Sequence, residues 1–397
     1  LKELLFDIFD NMLARFFMML LLLSAVHAKG SIADTTKLLI ADMIVQIEAT
    51  EAMDAMYNFD FAEAEKQFRW LQQKYPDHPL PYFVLGLNEW WKLQPNVSNE
   101  QFDAQFHYYM DTTISIAEPM LEDPETRIEG AFFLSASYGF KGRLYSERGS
   151  WGKAASAGRN SLKYLEISKE QSDLSPELLF GDALYNYYSV WIPENYSMLK
   201  PVMAFFPKGD KDTGLDQLRE VSNNAFYTRI EARVFLMRIL ANDYQDYLGA
   251  LRIAEYLVEQ HPNNPYFERY YMRYLYSLRR YRKMEPIAIA TIEKVDSGRF
   301  GYEYTSGRYA AFFLGQMYQG GRVFDKAKYY YTKSILYGEK AEAQETGYHI
   351  YSLLNLGRIA EEEGDEKEAK NYYKEVKKYA KRKNPAYKAA KKTLKDL

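Results

Sequence analysis

A pattern of small residues recurs along this chain at a spacing of roughly 34 residues. Each full copy pairs a Gly with an Ala twelve positions later. The three full copies contain Gly142 and Ala154, Gly315 and Ala327, and Gly357 and Ala369. Small residues at both positions allow two antiparallel helices to approach closely, because larger side chains would push them apart. The pattern therefore predicts an all-α chain built from consecutive helix pairs, and no alternating strand pattern interrupts it.

The residue pattern of the second helix also occurs without that of the first, from Phe61 to Pro76 and again from Tyr247 to Pro262. In these positions the chain resembles the tetratricopeptide-repeat family over nearly all of residues 43–379. The resemblance implies a right-handed α-solenoid, which is a superhelix of stacked antiparallel helix pairs. It also implies a protein that binds rather than catalyses, with its ligand held along the concave face.

The repeat register divides the chain into four segments. Residues 1–28 are interpreted as an N-terminal extension and signal peptide, 29–42 as a lead-in helix, 43–383 as the solenoid, and 384–397 as a Lys-rich capping helix. The solenoid has room for about eight repeats, and its last repeat needs a polar cap because no further repeat covers it.

An insertion interrupts the fourth repeat at residues 192–207. Its three prolines argue against a continuous helix, so we expect the first helix of this repeat to end near Trp191. The most apolar part of the insertion contains Val202, Phe205 and Phe206. Leaving these side chains in water would forgo roughly 1.5–3 kcal/mol each. We therefore expect them to be covered by the chain's own helices or by a partner.

The segment from Met12 to Ala28 has the three parts of a secretory signal peptide. Arg15 supplies a positive charge, Phe16 to Leu23 form a short apolar run, and Ala28 offers a small-residue cleavage site. The apolar run is shorter than a helix that spans a bilayer. The sequence thus predicts export to the periplasm or cell surface, cleavage after Ala28 and no transmembrane span in the mature chain. The alternative is an N-terminal helix of a cytosolic solenoid.

Catalytic and metal-binding patterns are missing from the sequence. There is no Cys, and the five His residues are scattered without the spacing of metal ligands. A net charge of -3 gives no reason to expect nucleic acid as a partner. We therefore expect a non-catalytic protein without a cofactor or a bound metal, although an enzyme stays a third alternative because fold does not decide function.

Arginine and aromatic residues are concentrated on one face of the first helices, the face expected to line the groove. In the sixth repeat these are Tyr266, Arg269, Tyr270, Arg273 and Tyr276; the seventh adds Tyr309, Phe312, Phe313 and Gln316; the eighth adds Tyr351, Asn355 and Arg358; and Arg143 holds the equivalent place in the third. Arg with Tyr suits a carboxylate or an extended peptide, because a guanidinium bonds two oxygens at once and stacks on rings.

A purely structural interpretation of the same residues stays open. Arg143 and Arg358 each have a Glu four residues further on, at Glu147 and Glu362, so ordinary intrahelical ion pairs are an alternative for both. The 36 Tyr and 23 Phe of the chain also suit the seams between helices, where rigid rings bury much area. Arg273 has no Glu at that spacing and is the stronger candidate for recognition.

The leading hypothesis from the sequence is an exported interaction protein that holds a polypeptide partner in an Arg- and Tyr-lined groove, through a carboxylate or an acidic segment of that partner. The alternative is a carbohydrate- or small-ligand-binding protein of the cell envelope that uses the aromatic residues of the groove. Salt separates the two, because charge pairing weakens as ionic strength rises whereas sugar stacking does not.

Overall fold

The computed structural model describes residues 38–197, 200–204 and 207–397. These ranges contain seventeen α-helices longer than one turn, and no β-strand occurs among them. The described residues up to Gln245 form one compact unit, and those from Asp246 form a second. Within each unit neighbouring helices pack pairwise in chain order. The consecutive helix pairs predicted from the Gly and Ala spacing are therefore confirmed, as is the all-α solenoid that the resemblance implies.

The first unit contains nine of these helices. They are α1 (Met43–Tyr57), α2 (Phe61–Lys74), α3 (Pro79–Leu93), α4 (Asp103–Ala117), α5 (Arg127–Glu147), α6 (Trp151–Ser168), α7 (Leu179–Asn195), α8 (Lys211–Asn224) and α9 (Arg229–Asn242). The closest pairs join α1 to α2, α3 to α4, α5 to α6 and α7 to α8.

The second unit contains the other eight. They are α10 (Tyr247–Gln260), α11 (Pro265–Ser277), α12 (Tyr281–Asp296), α13 (Tyr304–Gly320), α14 (Phe324–Lys340), α15 (Gly347–Glu363), α16 (Glu366–Tyr379) and α17 (Pro385–Asp396). Each of them packs against the next one in the sequence, most closely α13 against α14 and α15 against α16.

Small residues stand where paired helices approach each other most closely. A Cβ atom at Gly315 would lie 2.6 Å from Cδ1 of Tyr331, so the ring of this tyrosine occupies the space that the glycine leaves. At Gly214, which replaces the usual Ala, a Cβ atom would lie 2.7 Å from the backbone nitrogen of Tyr187. Side chains can turn away from such a contact but backbone cannot, so the α7–α8 pair depends on this glycine.

Four helices begin with the same capping contact. The carboxylate of an Asp accepts a hydrogen bond from the backbone N–H three residues later, which satisfies a group that the helix itself leaves unpaired. These caps are Asp60 for α2, Asp210 for α8, Asp246 for α10 and Asp365 for α16, with distances of 3.4, 2.7, 2.8 and 2.9 Å. These four helices are second members of predicted helix pairs. Helix α1, a first member, begins with a bifurcated form of the cap, in which Asp42 accepts from the N–H groups of Ile44 at 2.8 Å and Val45 at 3.4 Å.

The insertion differs from its prediction at its start. Helix α7 does not end near Trp191 but continues through Pro193 to Asn195. A proline in the last turn removes only one of the helix's hydrogen bonds, so the turn persists. The helix restarts for one turn at Lys200–Met203, and the Tyr185 hydroxyl donates to the carbonyl oxygen of Pro207 at 2.7 Å.

Several predictions fall on residues outside the described ranges. They concern the signal peptide at residues 12–28, most of the lead-in helix at 29–42, and the insertion residues Phe205 and Phe206. The side chain of Val202 is likewise not described. The predicted burial of these three side chains therefore stays a prediction.

The described ends of the chain are held by polar contacts. Leu39–Ala41 form a single 3₁₀ turn, and Glu129 of α5 accepts hydrogen bonds from the N–H groups of Leu39 at 3.2 Å and Ile40 at 2.7 Å. The final helix α17 is capped by Asn384 and buries Ala390 against the preceding helices. Within the described ranges, no helix is long and apolar enough to cross a bilayer.

Candidate functional site

The residues predicted for the groove divide between the two units. Arg143 lies on α5 in the first unit, and the other twelve lie on α11, α13 and α15 in the second.

In the second unit, α11 and α13 bring arginine and tyrosine side chains together. The guanidinium carbon of Arg269 lies 5.3 Å from the ring centre of Tyr266 and 6.0 Å from that of Tyr309. The rings of Tyr266 and Tyr270 are 4.9 Å apart. This grouping arises because residues three and four apart share one face of a helix. We define the Arg–Tyr cluster as Tyr266, Arg269, Tyr270, Arg273, Arg308, Tyr309 and Tyr348.

Arg273 lies one helical turn beyond Arg269. Burial alone would lower its pKa, but the surrounding tyrosine hydroxyls, of Tyr348, Tyr274, Tyr309 and Tyr270, outweigh burial and raise the pKa above its ordinary value. Arg273 is therefore a permanent positive charge held among tyrosine rings.

Arg308 adds a third positive charge, from α13. It is only 4% exposed, and its Nη1 donates to Oγ1 of Thr346 at 2.6 Å and to the Ala343 carbonyl oxygen at 3.3 Å. Its Nε is buried without a hydrogen-bond acceptor among the described residues. Burial and the nearby charge of Arg269 lower its pKa, but arginine starts so far above neutral pH that it stays charged.

Other predicted groove residues pack inside the helix array. Tyr276 stacks on Phe313 with ring centres 4.3 Å apart and planes 14° from parallel. Phe312 and Phe313 are buried, and Phe312 packs on Tyr348 at 4.8 Å. For these rings the structure favours the second interpretation from the sequence, in which aromatic residues fill the seams between helices.

A second group of predicted residues surrounds one tyrosine. The hydroxyl of Tyr331 accepts hydrogen bonds from Nε2 of Gln316 at 2.8 Å and from Nδ2 of Asn355 at 3.2 Å. Asn355 in turn accepts from Nη1 of Arg358 at 3.3 Å. Since Tyr331 fills the gap beside Gly315, Gln316 and Asn355 serve packing.

Two further residues lie outside the Arg–Tyr cluster. The exposed Arg358 is not matched with Glu362 as the sequence spacing suggested, since Glu362 accepts from Nη2 of Arg322 at 3.3 Å. Tyr351 is half-buried and packs against the core of the last helices.

The first unit contains a cavity of about 280 Å³. Helices α5, α6, α7 and α9 supply most of its wall, which is completed by Phe83, Leu87, Leu178, Met203, Tyr227 and Thr228. The wall is mainly apolar. Arg143 is the predicted groove residue of this unit. It lines the cavity and does not stand on a fully solvated helix face.

Arg143 and Arg238 bring positive charge to the cavity. The guanidinium carbon of Arg143 lies 4.7 Å from the ring centre of Trp90 and 6.0 Å from that of Phe235. Arg238 of α9 is buried. Burial raises the pKa of the Glu147 carboxyl group, and the charges of both arginines lower it.

Glu231 is the acidic group of the cavity wall. It is 4% exposed, and its Oε1 accepts a hydrogen bond from Nε1 of Trp91 at 2.9 Å. Burial raises its pKa to about 7, although the charges of Arg143 and Arg238 and the Trp91 hydrogen bond lower it. At neutral pH this carboxyl group is therefore only partly ionised.

Glu177 fixes the start of the helix that carries Glu231 and Arg238. Its carboxylate accepts hydrogen bonds from the N–H groups of Tyr227 and Thr228, both at 2.9 Å, and from the Thr228 hydroxyl at 2.6 Å. A carboxylate at the first turn satisfies N–H groups that the helix leaves unpaired. The cavity wall on this side is thereby anchored by a buried polar network.

The site residues predicted from the sequence do not include Arg308, Tyr348, Glu231 and Arg238. One signal was available, because Arg238 stands twelve residues before Ala250, at the position that holds Gly in the full copies of the pattern. A large charged residue at a close-packing position marks a place where the packing differs. The others carry no comparable signal.

Among the described residues, no group of three or more His, Asp or Glu is placed to hold a metal ion. No protein-family model matches this chain, and no curated protein sequence shows a significant match to it.

Proposed function

We propose that this protein is a non-catalytic interaction protein of the tetratricopeptide-repeat type, and that the Arg–Tyr cluster binds a polypeptide partner through a carboxylate or an acidic segment. The observation that carries the proposal is the grouping of Arg269, Arg273 and Arg308 with tyrosine rings on α11, α13 and α15.

The chemistry of the cluster supports a carboxylate as the bound group. Arg269 and Arg273 lie one turn apart on α11, and like charges at this spacing destabilise a helix slightly. A bound carboxylate relieves that repulsion and accepts charge-assisted hydrogen bonds. Contacts with the rings of Tyr266 and Tyr309 hold the guanidinium of Arg269 in a fixed orientation.

A peptide library tests this proposal. The full chain is titrated with labelled acidic decapeptides, in pairs with a free or an amidated C-terminus, and affinity is measured by fluorescence anisotropy. We expect binding to weaken about tenfold with Arg269→Gln. The matched control is Arg252→Gln, an exposed arginine on α10 of the same unit, which leaves affinity unchanged.

Two results would count against a peptide site. If no acidic peptide binds, or if Arg269→Gln and Arg252→Gln behave alike, the cluster is not an acidic-peptide site. Sugar binding is the alternative outcome: oligosaccharides would then bind with little salt dependence, and affinity would fall with Tyr270→Ala and not with loss of an arginine.

We also propose that the protein is exported to the periplasm or cell surface. The support comes from the sequence of residues 12–28, with its basic, apolar and small-residue parts in the order of a signal peptide. N-terminal sequencing of the native protein should find Lys29 first. Recovery of the chain with residues 12–28 intact would contradict export by cleavage.

A further inference from the structure

The cavity of the first unit is elongated along α5. This helix contributes lining residues from Phe132 through Ala136 and Phe140 to Arg143, at intervals of three and four that keep them on one face. At 1.5 Å per residue the lining stretch extends for more than about 15 Å. Its beginning is apolar, and a charged residue lies near its end.

Hydroxyl groups of the wall are largely used within the protein. The Ser135 hydroxyl donates to the Ser161 carbonyl oxygen at 3.0 Å, and the Ser161 hydroxyl donates to the Ser135 carbonyl oxygen at 2.8 Å. Thr228 donates to the buried carboxylate of Glu177. These three side chains therefore present mainly their carbon atoms to the cavity.

Hydroxyl groups on the α7 side of the wall also form hydrogen bonds within the protein. The Tyr185 hydroxyl donates to Pro207, and the Ser189 hydroxyl accepts from the N–H group of Gly209 at 3.0 Å. A sugar requires many hydrogen-bond partners, because each buried hydroxyl left unpaired costs free energy. Such a wall suits an apolar chain better than a sugar.

The charged residues are gathered at one part of the cavity. Arg143 of α5 lines this cavity together with Glu231 and Arg238 of α9, and the charges of both arginines lower the pKa of Glu231. A ligand with one anionic group can approach the two arginines there, whereas a cationic ligand meets two positive charges and only one partly ionised carboxyl group, that of Glu231. Arg143 is half-buried, and the contacts with Trp90 and Phe235 hold its guanidinium in a fixed orientation.

We propose that this cavity binds an amphipathic monocarboxylate, a chain with one anionic head, whose apolar tail lies along α5 and α6 and whose carboxylate meets Arg143 and Arg238. The proposal is independent of the polypeptide site in the second unit. Length sets the class of ligand, because an extended tail has to fit along the lining stretch of more than about 15 Å on α5. A medium-length chain such as decanoate matches that length.

The head group is tested first, on the unmodified full chain. Isothermal titration calorimetry compares decanoate, decanol and decylamine, each below the concentration at which it forms micelles. We expect decanoate to bind at least tenfold more tightly than decanol, and decylamine to bind most weakly. Equal affinities for decanoate and decanol, or no binding of decanoate at millimolar concentration, would overturn the proposal.

Two variants then locate the site. Arg143→Gln should weaken decanoate about tenfold and leave decanol nearly unchanged, because only the charged head loses its partner. Leu162→Trp should weaken decanoate and decanol alike, because the indole fills the space of the tail. The control is Arg127→Gln, an exposed residue at the start of α5. Thermal melting is recorded for every variant to show that it folds.

The affinities of these variants distinguish binding in the cavity from binding elsewhere on the protein. If decanoate affinity is the same in Arg143→Gln and Arg127→Gln, the carboxylate does not lie at Arg143. If Leu162→Trp leaves both affinities unchanged, the tail does not occupy this cavity. Should a variant fail to fold, the comparison of head groups on the unmodified chain still decides whether the site selects an anion.

Discussion

The Arg–Tyr cluster of the second unit and the cavity of the first both place arginine against aromatic rings, yet their surroundings differ. Around Arg273 the groups that shift its pKa are tyrosines. Arg143 and Arg238 instead share their environment with Glu231 and Glu147. Ring contacts orient a guanidinium, whereas a buried carboxyl compensates its charge to the extent that it ionises. The comparison suggests two binding chemistries, an extended acidic segment in one unit and a single-headed apolar chain in the other.

The strongest way to separate the two sites is to disturb the packing of one unit only. In Gly214→Val the new Cβ would lie within 3 Å of the backbone nitrogen of Tyr187 and of the Ala183 carbonyl oxygen. We expect a loss of about 3 kcal/mol or more in the stability of the first unit. Decanoate binding should disappear while acidic-peptide binding persists.

Circular dichroism during urea unfolding measures this effect. Gly152→Ala is the matched control, because a Cβ at that glycine of α6 would meet nothing within 4 Å. Unchanged stability of Gly214→Val would show that α7 and α8 are not held together as described.

Glu231 gives the next largest effect, and it depends on pH. Its pKa in the folded protein is raised from 4.5 to about 7, so folding favours the protonated form. The stability that this proton supplies is complete below about pH 4.5 and is lost as pH rises through about 7. Each pH unit in that interval is worth roughly 1.4 kcal/mol. Glu231→Gln should therefore stabilise the first unit by up to about 3 kcal/mol at pH 8 and by almost nothing at pH 4.

This prediction already includes the neighbours of Glu231, because they contribute to its pKa. They are Arg143 of α5, Arg238 of α9 and the indole of Trp91, with Tyr57 of α1 also within electrostatic reach. Glutamine keeps the oxygen that accepts from Trp91, so the variant changes charge and not shape. Urea unfolding between pH 4 and pH 8 is compared with that of Glu125→Gln, an exposed carboxylate. A stability difference that is independent of pH would contradict the raised pKa.

Measuring both ligands on both arginine variants tests whether the two sites are distinct. Arg143→Gln should weaken decanoate about tenfold, or about 1.4 kcal/mol, without affecting the acidic peptide. Arg269→Gln should do the reverse. Both affinities are measured on both variants by the same titrations. If either variant lowers both affinities, the two units do not contain two separate binding sites.

Salt should produce the smallest effect. Raising ionic strength from about 0.05 to about 0.3 M weakens charge pairing, and an acidic peptide carries several charges where decanoate carries one. We expect the affinity for the acidic peptide to fall severalfold, and that for decanoate to fall by less than about twofold. A steeper salt dependence for decanoate than for the peptide would place its carboxylate in solvent and not at Arg143 and Arg238.

The helix pairs were predictable because their determinants are local. Gly315 and Ala327 lie on adjacent helices, and a cap such as Asp60 acts on the turn that follows it. The continuation of α7 through Pro193 was not predictable from proline alone, since the position of a proline within the turn decides its cost.

The binding surfaces depend on longer-range packing. Phe312 and Asn355 fit the groove face by spacing but are buried, because an inner helix has neighbours on more than one side. The cavity was not predicted, because its wall joins residues between Phe83 and Arg238 that only the packed helices bring together.

The most direct test of the central proposal is the effect of Arg273→Gln on acidic-peptide affinity and on the thermal midpoint, measured on the same sample. Arg273 stands among tyrosine rings with Arg269 one turn away, so removing its charge should relieve repulsion and leave the midpoint nearly unchanged. Peptide affinity should fall about tenfold. A clear drop in the midpoint with peptide affinity intact would show that Arg273 is a packing residue, and would contradict recognition by the Arg–Tyr cluster.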